Sequence, residues 1–257
     1  MAERAQANSS GFPLQIALRH LVDSKKQIGW NLRYEEYPWS DSETHESGFI
    51  DLVFEKQLRD VLVVECKRVR DSTWLFLNTS GKETKQRSVF RGWVSRNRTN
   101  SGWNTCQRDP DSFLSMYCAI RGQDGSRHQN LLERSAAEVV AATEALARTE
   151  FDAFSKQYSG SGYSRWYYPV IVTTAQLCVG KIDPERTNLN SGDVDDEGLV
   201  TEYVPWVRYQ KHLRTNYEAE FDENFRPLGE GSMVFVVNAA YFEEFLLKLE
   251  ARERLDF

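Results

Sequence analysis

At 257 residues and 40% hydrophobic content the chain can bury one sizeable core, yet no stretch approaches the roughly 20 apolar residues that span a bilayer. Cys66, Cys106, Cys118 and Cys178 show no C-x-x-C spacing, which argues against a zinc site or a disulfide framework and points to a reducing, cytoplasmic compartment. The net charge of −6 weighs against a polyanionic partner, but it is uneven: Lys67 to Arg108 holds ten Lys and Arg against two acids, so that segment carries +8 and the remainder −14.

Residues 1 to 10 contain no apolar run of the secretory kind and are expected to be loosely attached. A helix is predicted from near Ser10 to near Lys26, with Pro13 in its first turn and Leu14, Leu18, Leu21 and Val22 as its apolar positions, ending before Gly29. Trp30 to Tyr37 reads as a strand and Ser40 to Ser47 as a polar loop.

Gly48 to Lys67 is the most informative segment. Gly-Phe-Ile-Asp-Leu-Val-Phe and Val-Leu-Val-Val-Glu-Cys-Lys are two β-branched, aromatic runs of strand length, joined by the short charged link Glu55 to Asp60. That pattern predicts a β-hairpin. With the hairpin centred near Leu58, Phe54 faces Leu62 and Asp51 lies across from Glu65, while Lys67 shares the face of Glu65. Directly opposed side chains have Cβ atoms about 5 Å apart, so two carboxylates there repel and are costly to bury. A divalent cation between them removes that cost, since Mg²⁺ prefers carboxylate and water oxygens.

Asp51 together with Glu65-Cys66-Lys67 resembles the PD-(D/E)xK nuclease superfamily, whose fold is restriction-endonuclease-like. Asp23-Ser24-Lys25 and Glu83-Thr84-Lys85 also fit the tripeptide, but neither has the strand context or the paired aspartate. One departure is Ile50, where the family motif has proline. The resemblance implies an α/β fold with an αβββαβ core, a mixed central sheet and flanking helices. It also implies Mg²⁺, or Mn²⁺, held by Asp51, Glu65 and the Cys66 carbonyl, with Lys67 positioning the attacking water. The superfamily often has a further acid near its first helix; here Asp23 sits late in that helix, and Glu35 or Glu36 could take the place, with Glu36 preferred. Gln129 and Arg134 stand where relatives often put a residue aimed at the metal.

Residues 68 to 128 read as an irregular insertion rich in Arg, Ser, Asn, Gly and Trp. Arg70, Arg87, Arg91, Arg96 and Arg98 are interleaved there with Trp74, Phe76, Phe90, Trp93 and Trp103, a mixture suited to nucleic acid, although most of the tryptophans are expected to fill a local core. Asn130 to Tyr158 is predicted as a long helix, and Tyr167 to Thr173 and Gln176 to Ile182 as strands. Beyond about 183 comes a C-terminal extension: a loop to Asp196, a further strand within Gly198 to Tyr209, a strand at Ser232 to Val237, and an amphipathic helix from Ala239 to Arg254. The histidines are scattered, with His45 and Glu46 in the loop before Asp51. No G-x-S-x-G, Walker A or G-x-G-x-x-G motif is present, which removes the simplest hydrolase, NTPase and dinucleotide readings.

The expectation is one nuclease domain over residues 1–257, acting on nucleic acid, with DNA favoured and no membrane. A setting in restriction or defence would suit the resemblance, and cutting both strands of a duplex would favour a homodimer. The alternatives are an RNA-directed nuclease or a non-catalytic nucleic-acid-binding or assembly module on the same fold.

Overall fold

The computed structural model of the chain describes residues 2–41, 45–79, 89–96, 100–121, 129–157, 164–211 and 232–249. Its first residues are helical: α1 (Ala2–Ser9) buries no side chain, and its Asn8 carbonyl accepts a hydrogen bond from the Arg68 guanidinium. Gly11, in the left-handed region at φ 81, turns the chain into α2 (Phe12–Ser24). Gln15, Leu18 and Val22 fall on one stripe of α2 and are buried. Gly29, left-handed at φ 73, then leads from a short 3₁₀ turn into the first strand.

β1 (Asn31–Ser40), β2 (Ser47–Lys56) and β3 (Asp60–Lys67) form an antiparallel meander. Gln57 and Leu58 both have positive φ at the β2–β3 turn, and the Arg59 N–H donates to the Lys56 carbonyl. Two left-handed residues match the twist of the flanking strands. Val61 to Val64 are all buried, because β3 lies inside the sheet, parallel to β9 (Ser164–Thr173). The opposite edge of β9 is shared. β5 (Val89–Arg96) pairs antiparallel with its first residues, and β13 (Ser232–Asn238) pairs parallel with Val170 to Thr173. β12 (Trp206–Lys211), β7 (Phe113–Ser115) and β6 (Asn100–Gln107) complete a nine-stranded mixed sheet. A second sheet has the order β11 (Leu199–Tyr203), β10 (Gln176–Ile182), β4 (Thr73–Thr79), β8 (Tyr117–Arg121).

One face of the main sheet packs on α2 and α4 (Phe242–Lys248), through Leu18, Val22, Leu52, Phe54, Phe235 and Phe245. The other packs on α3 (Gln129–Gln157) and the second sheet, through Val53, Val63, Trp74, Phe76, Val139 and Ile171. The molecule is thus α/β with a mixed sheet between helical layers. Among the described residues no helix is long and apolar enough to cross a membrane.

Two expectations are corrected. The segment 68–128, expected to be irregular, contributes among its described residues five strands, β4 to β8. Their signal is blurred because pairing is distant in sequence: β4 lies against β10, and β5 joins β9. The closing helix is also shorter than expected, since Ala239–Tyr241 is a 3₁₀ turn. Its distal end, from residue 250, lies outside the described residues.

Candidate functional site

The hairpin has the expected register, with Phe54 opposite Leu62 and Leu52 opposite Val64. The main-chain ladder stops there. One step on, where Asp51 meets Glu65, the Asp51 carboxylate takes over: its Oδ2 accepts the Cys66 main-chain N–H at 2.6 Å. The Lys67 carbonyl accepts from Thr174 N on the β9 side. Successive residues of a strand aim their main-chain groups at opposite neighbours. The Cys66 carbonyl therefore faces the β2 side, into the notch that Asp51 opens.

β1 brings a third carboxylate. Glu35 pairs with Leu52 and Tyr37 with Ile50, which sets Glu36 opposite Asp51. Strict alternation of faces breaks at this point. Tyr34 and Tyr37, three residues apart, stack at 4.4 Å and both pack on the α3 side; Ile50 packs there too, whereas Leu52 packs on the α2 side. Glu36 absorbs the change with a left-handed backbone at φ 48, a strained conformation for a residue with a long side chain. From α2, the Gln15 amide donates both to Glu36 Oε1 at 2.6 Å and to the Asp51 carbonyl at 2.9 Å.

Burial above all, and then the charge of Asp51, push the Glu65 carboxyl from an ordinary 4.5 up to about 7, while the Lys67 ammonium, ion-paired with Glu65, opposes the rise. Burial also raises Asp51, with Glu36 adding to it and the Cys66 N–H and Lys67 opposing. The Cys66 thiol is pushed well up by burial and by the two carboxylates. The site opens into a cleft of about 200 Å³ lined by Asp51, Glu65, Trp39, Phe49, Ile50 and, from α3, Glu138, Val139 and Ala142. Trp39 lies against Gly48, where a Cβ would come within 3.1 Å of its indole nitrogen. The Glu138 charge contributes to raising Glu65.

Two desolvated carboxylates, an outward carbonyl and an ammonium suit a hard divalent cation bearing an anionic ligand. Among the described residues, no three carboxylate, imidazole or thiol groups converge closely enough to hold a metal alone. The donor set still fits Mg²⁺, which usually takes one or two carboxylates and fills its shell with water and phosphate oxygens.

The structure thus brings together Glu36, Asp51, Glu65, Cys66 and Lys67. Other sequence candidates lie elsewhere. Glu35 pairs with Arg19 at 2.5 Å, and Asp23 stands on the exposed side of α2 beside the same arginine. His45 and Glu46 close a turn on Asp41 and do not line the cleft. Arg134 reaches the rim only through Glu138, at 3.9 Å. Gln129 opens α3, and its side chain lies outside the described residues.

Among the described residues, the candidate arginines stand at separate places on the fold. Arg70 is exposed, just beyond Lys67. Arg91, half-buried, sits mid-strand opposite Thr105. Arg96 closes β5 opposite Ser164, nine residues along β9 from the Thr173 that pairs with Lys67, or about 30 Å. Arg87 and Arg98 lie outside the described residues. Trp74, Phe76, Phe90 and Trp93 are buried, as expected of core aromatics, and Trp103 packs edge-on against Trp93.

Sequence reading missed Gln15 and Glu138. The signal for Gln15 was a polar residue on the otherwise apolar stripe of α2. Glu138 sits one turn from Ala142 and beside Val139 on α3, a charge bordering the buried face.

Comparison with protein-family models, with curated proteins and with solved structures finds no match.

Proposed function

We propose that the chain is a metal-dependent nuclease that hydrolyses phosphodiester bonds, of the PD-(D/E)xK type, with DNA as the favoured substrate. The observation that carries this reading is the Asp51–Glu65 pair at the splayed end of the hairpin, with Lys67 against Glu65. The succession α2, β1, β2, β3, α3, β9, interrupted by β4 to β8, supports it, since it follows the αβββαβ order.

Asp51, Glu65 and the Cys66 carbonyl would hold a Mg²⁺ or Mn²⁺ ion. When bound, that ion supplies Lewis acidity at a phosphoryl oxygen and lowers the pKa of a coordinated water. Lys67 offsets carboxylate charge and would orient the attacking water or neutralise a non-bridging phosphate oxygen. Glu36, opposite Asp51, would accept a hydrogen bond from that water. Burial of Asp51 and Glu65 keeps the dielectric around them low, which strengthens the charge interactions of these two carboxylates.

The test is incubation of the purified protein with plasmid, linear duplex, single-stranded DNA and RNA, in Mg²⁺, in Mn²⁺ and in EDTA. Cleavage that EDTA abolishes supports the reading, and the substrate pattern separates DNA from RNA. No cleavage of any substrate in either metal would overturn it in favour of a non-catalytic binding module.

A further inference from the structure

We infer that Gln15 is a positioning residue for the carboxylate site. It acts as a neutral clamp that fixes the Glu36 carboxylate beside the Asp51 main chain, from where Glu36 serves the water of a cation that Asp51 and Glu65 would hold. The inference rests on the metal-dependent reading above and adds a residue on α2 that the hairpin motif does not contain.

Three observations carry it. Gln15 is only 5% exposed, on the face of α2 that packs against the sheet. Its single amide nitrogen makes two hydrogen bonds, to Glu36 Oε1 at 2.6 Å and to the Asp51 carbonyl at 2.9 Å. Both acceptors lie where β1 and β2 switch faces, and Glu36 is held there at φ 48. A buried donor with two acceptors on different strands fixes their separation. Without it, Glu36 has no partner among the described contacts to keep its carboxylate turned towards Asp51, and it would relax from a backbone conformation that costs energy. The clamp is uncharged, so it orients Glu36 without neutralising it. A lysine or arginine at this position would compete with the cation for the same carboxylate. Groups that orient metal ligands from outside in this way are typically worth about 10- to 100-fold in affinity or activity.

The experiment is Mn²⁺ titration, by calorimetry or by loss of the free-ion electron paramagnetic resonance signal, on wild type, Gln15→Met and Gln15→Leu. Thermal melting is the folding control, and cleavage kinetics run in parallel. The expected result is a Mn²⁺ dissociation constant raised about tenfold or more, with kcat lowered and KM for nucleic acid unchanged. In a Glu36→Ala background, Gln15→Met should change Mn²⁺ affinity by less than about twofold, because the clamp would have lost its charged target. Wild-type Mn²⁺ affinity in a folded Gln15→Met or Gln15→Leu protein overturns the inference, as does an undiminished effect in the Glu36→Ala background. Failure of the nuclease reading looks different: wild type would cleave nothing, while the comparison of Mn²⁺ affinities would still decide the role of Gln15.

Discussion

The Asp51 carboxylate stands in for a strand partner of Cys66, accepting its main-chain N–H where the β2–β3 ladder would otherwise continue. Oδ2 is committed to the main chain, and the Cys66 thiol also hydrogen-bonds the carboxylate. Asn at this position keeps an acceptor oxygen and loses the charge. Asp51→Asn should therefore fold and melt as wild type does, or slightly higher at pH 8, because Glu65 loses a repelling neighbour. Mn²⁺ binding and cleavage should both fall by about 100-fold or more, the scale attached to disturbed metal ligation. Titration and single-turnover cleavage read these out, and undiminished Mn²⁺ affinity would remove Asp51 from the ligand set.

Lys67 contributes a charge rather than core volume. Lys67→Met should leave the fold intact and lower cleavage by about 10² to 10⁴, the usual worth of positioned acid–base or electrostatic help. Single-turnover kinetics in Mg²⁺, with melting as control, check it. A folded variant that cleaves at the wild-type rate would refute the assigned role.

Glu65 makes metal-free stability depend on pH. Its carboxyl is raised to about 7 in the fold from an ordinary 4.5. The fold therefore holds that proton more tightly than the unfolded chain does. The stabilisation is full below the ordinary value and is lost as pH rises through the folded one. At 1.36 kcal/mol per pKa unit the loss is about 3 kcal/mol, and the rise at Asp51 has the same sign. Melting temperature without metal should drop between pH 5 and pH 8. Glu65→Gln should flatten that drop, and Mn²⁺ at pH 8 should reverse it in wild type only. Equal pH dependence in wild type and Glu65→Gln would show that the carboxyl is not perturbed in the folded protein.

A second charged cluster lies at the opposite end of the hairpin. Arg165, 3% exposed, bonds Glu55 at 2.5 Å, Glu150 at 3.0 Å and the Leu58 carbonyl at 2.6 Å, and Tyr167 donates to Glu150. Removing Arg165 leaves the two buried carboxylates to share Arg33, which lies 2.8 Å from each and is partly exposed. Arg165→Met should cost about 3 to 5 kcal/mol in denaturant unfolding, with Mn²⁺ affinity unchanged in the folded fraction. A loss of metal affinity without a loss of stability would contradict this purely structural role.

Arg70 is the exposed arginine that follows the carboxylate strand. Arg70→Ala should flatten the dependence of log K on log salt by about 0.9 for duplex DNA, while Arg96→Ala, at the far end of β9, should leave the cleavage rate of the bound complex unaltered. An unchanged slope for Arg70→Ala would place the phosphate contacts elsewhere.

The hairpin was legible because one physical rule governs it: side chains alternate, so a single register sets Asp51 across from Glu65 and Lys67 on the face of Glu65. The long helix α3 and the strands β9, β10 and β13 were legible for a similar reason, each being a sustained apolar pattern. Glu36 was identified but not its geometry, since a left-handed residue inside a strand leaves no trace in an apolar–polar pattern. Gln15 escaped because its role depends on a contact between positions 21 residues apart. The strands β4 to β8 escaped for the same kind of reason. In β6, Asn-Ser-Gly-Trp-Asn-Thr-Cys-Gln shows little strand character of its own, and pairing with β5 decides its conformation.

The shared edge of β9 also sets an order of assembly. Its Val170–Thr173 end is paired by β13, which the ribosome delivers some 60 residues later, whereas Glu36, Asp51 and Glu65 all precede β9 in the chain. Contacts so distant in sequence are slow to form, because the loop-closure entropy must be met before pairing rewards it. Until β13 docks, β9 presents an open hydrogen-bonding edge in its most apolar stretch, Val-Ile-Val-Thr, which is a template for aggregation. A chain halted before Ser232 would carry every carboxylate of the site and lack the strand that shields this edge. The yield of refolded protein, rather than its chemistry, should therefore be the quantity most sensitive to changes in β13.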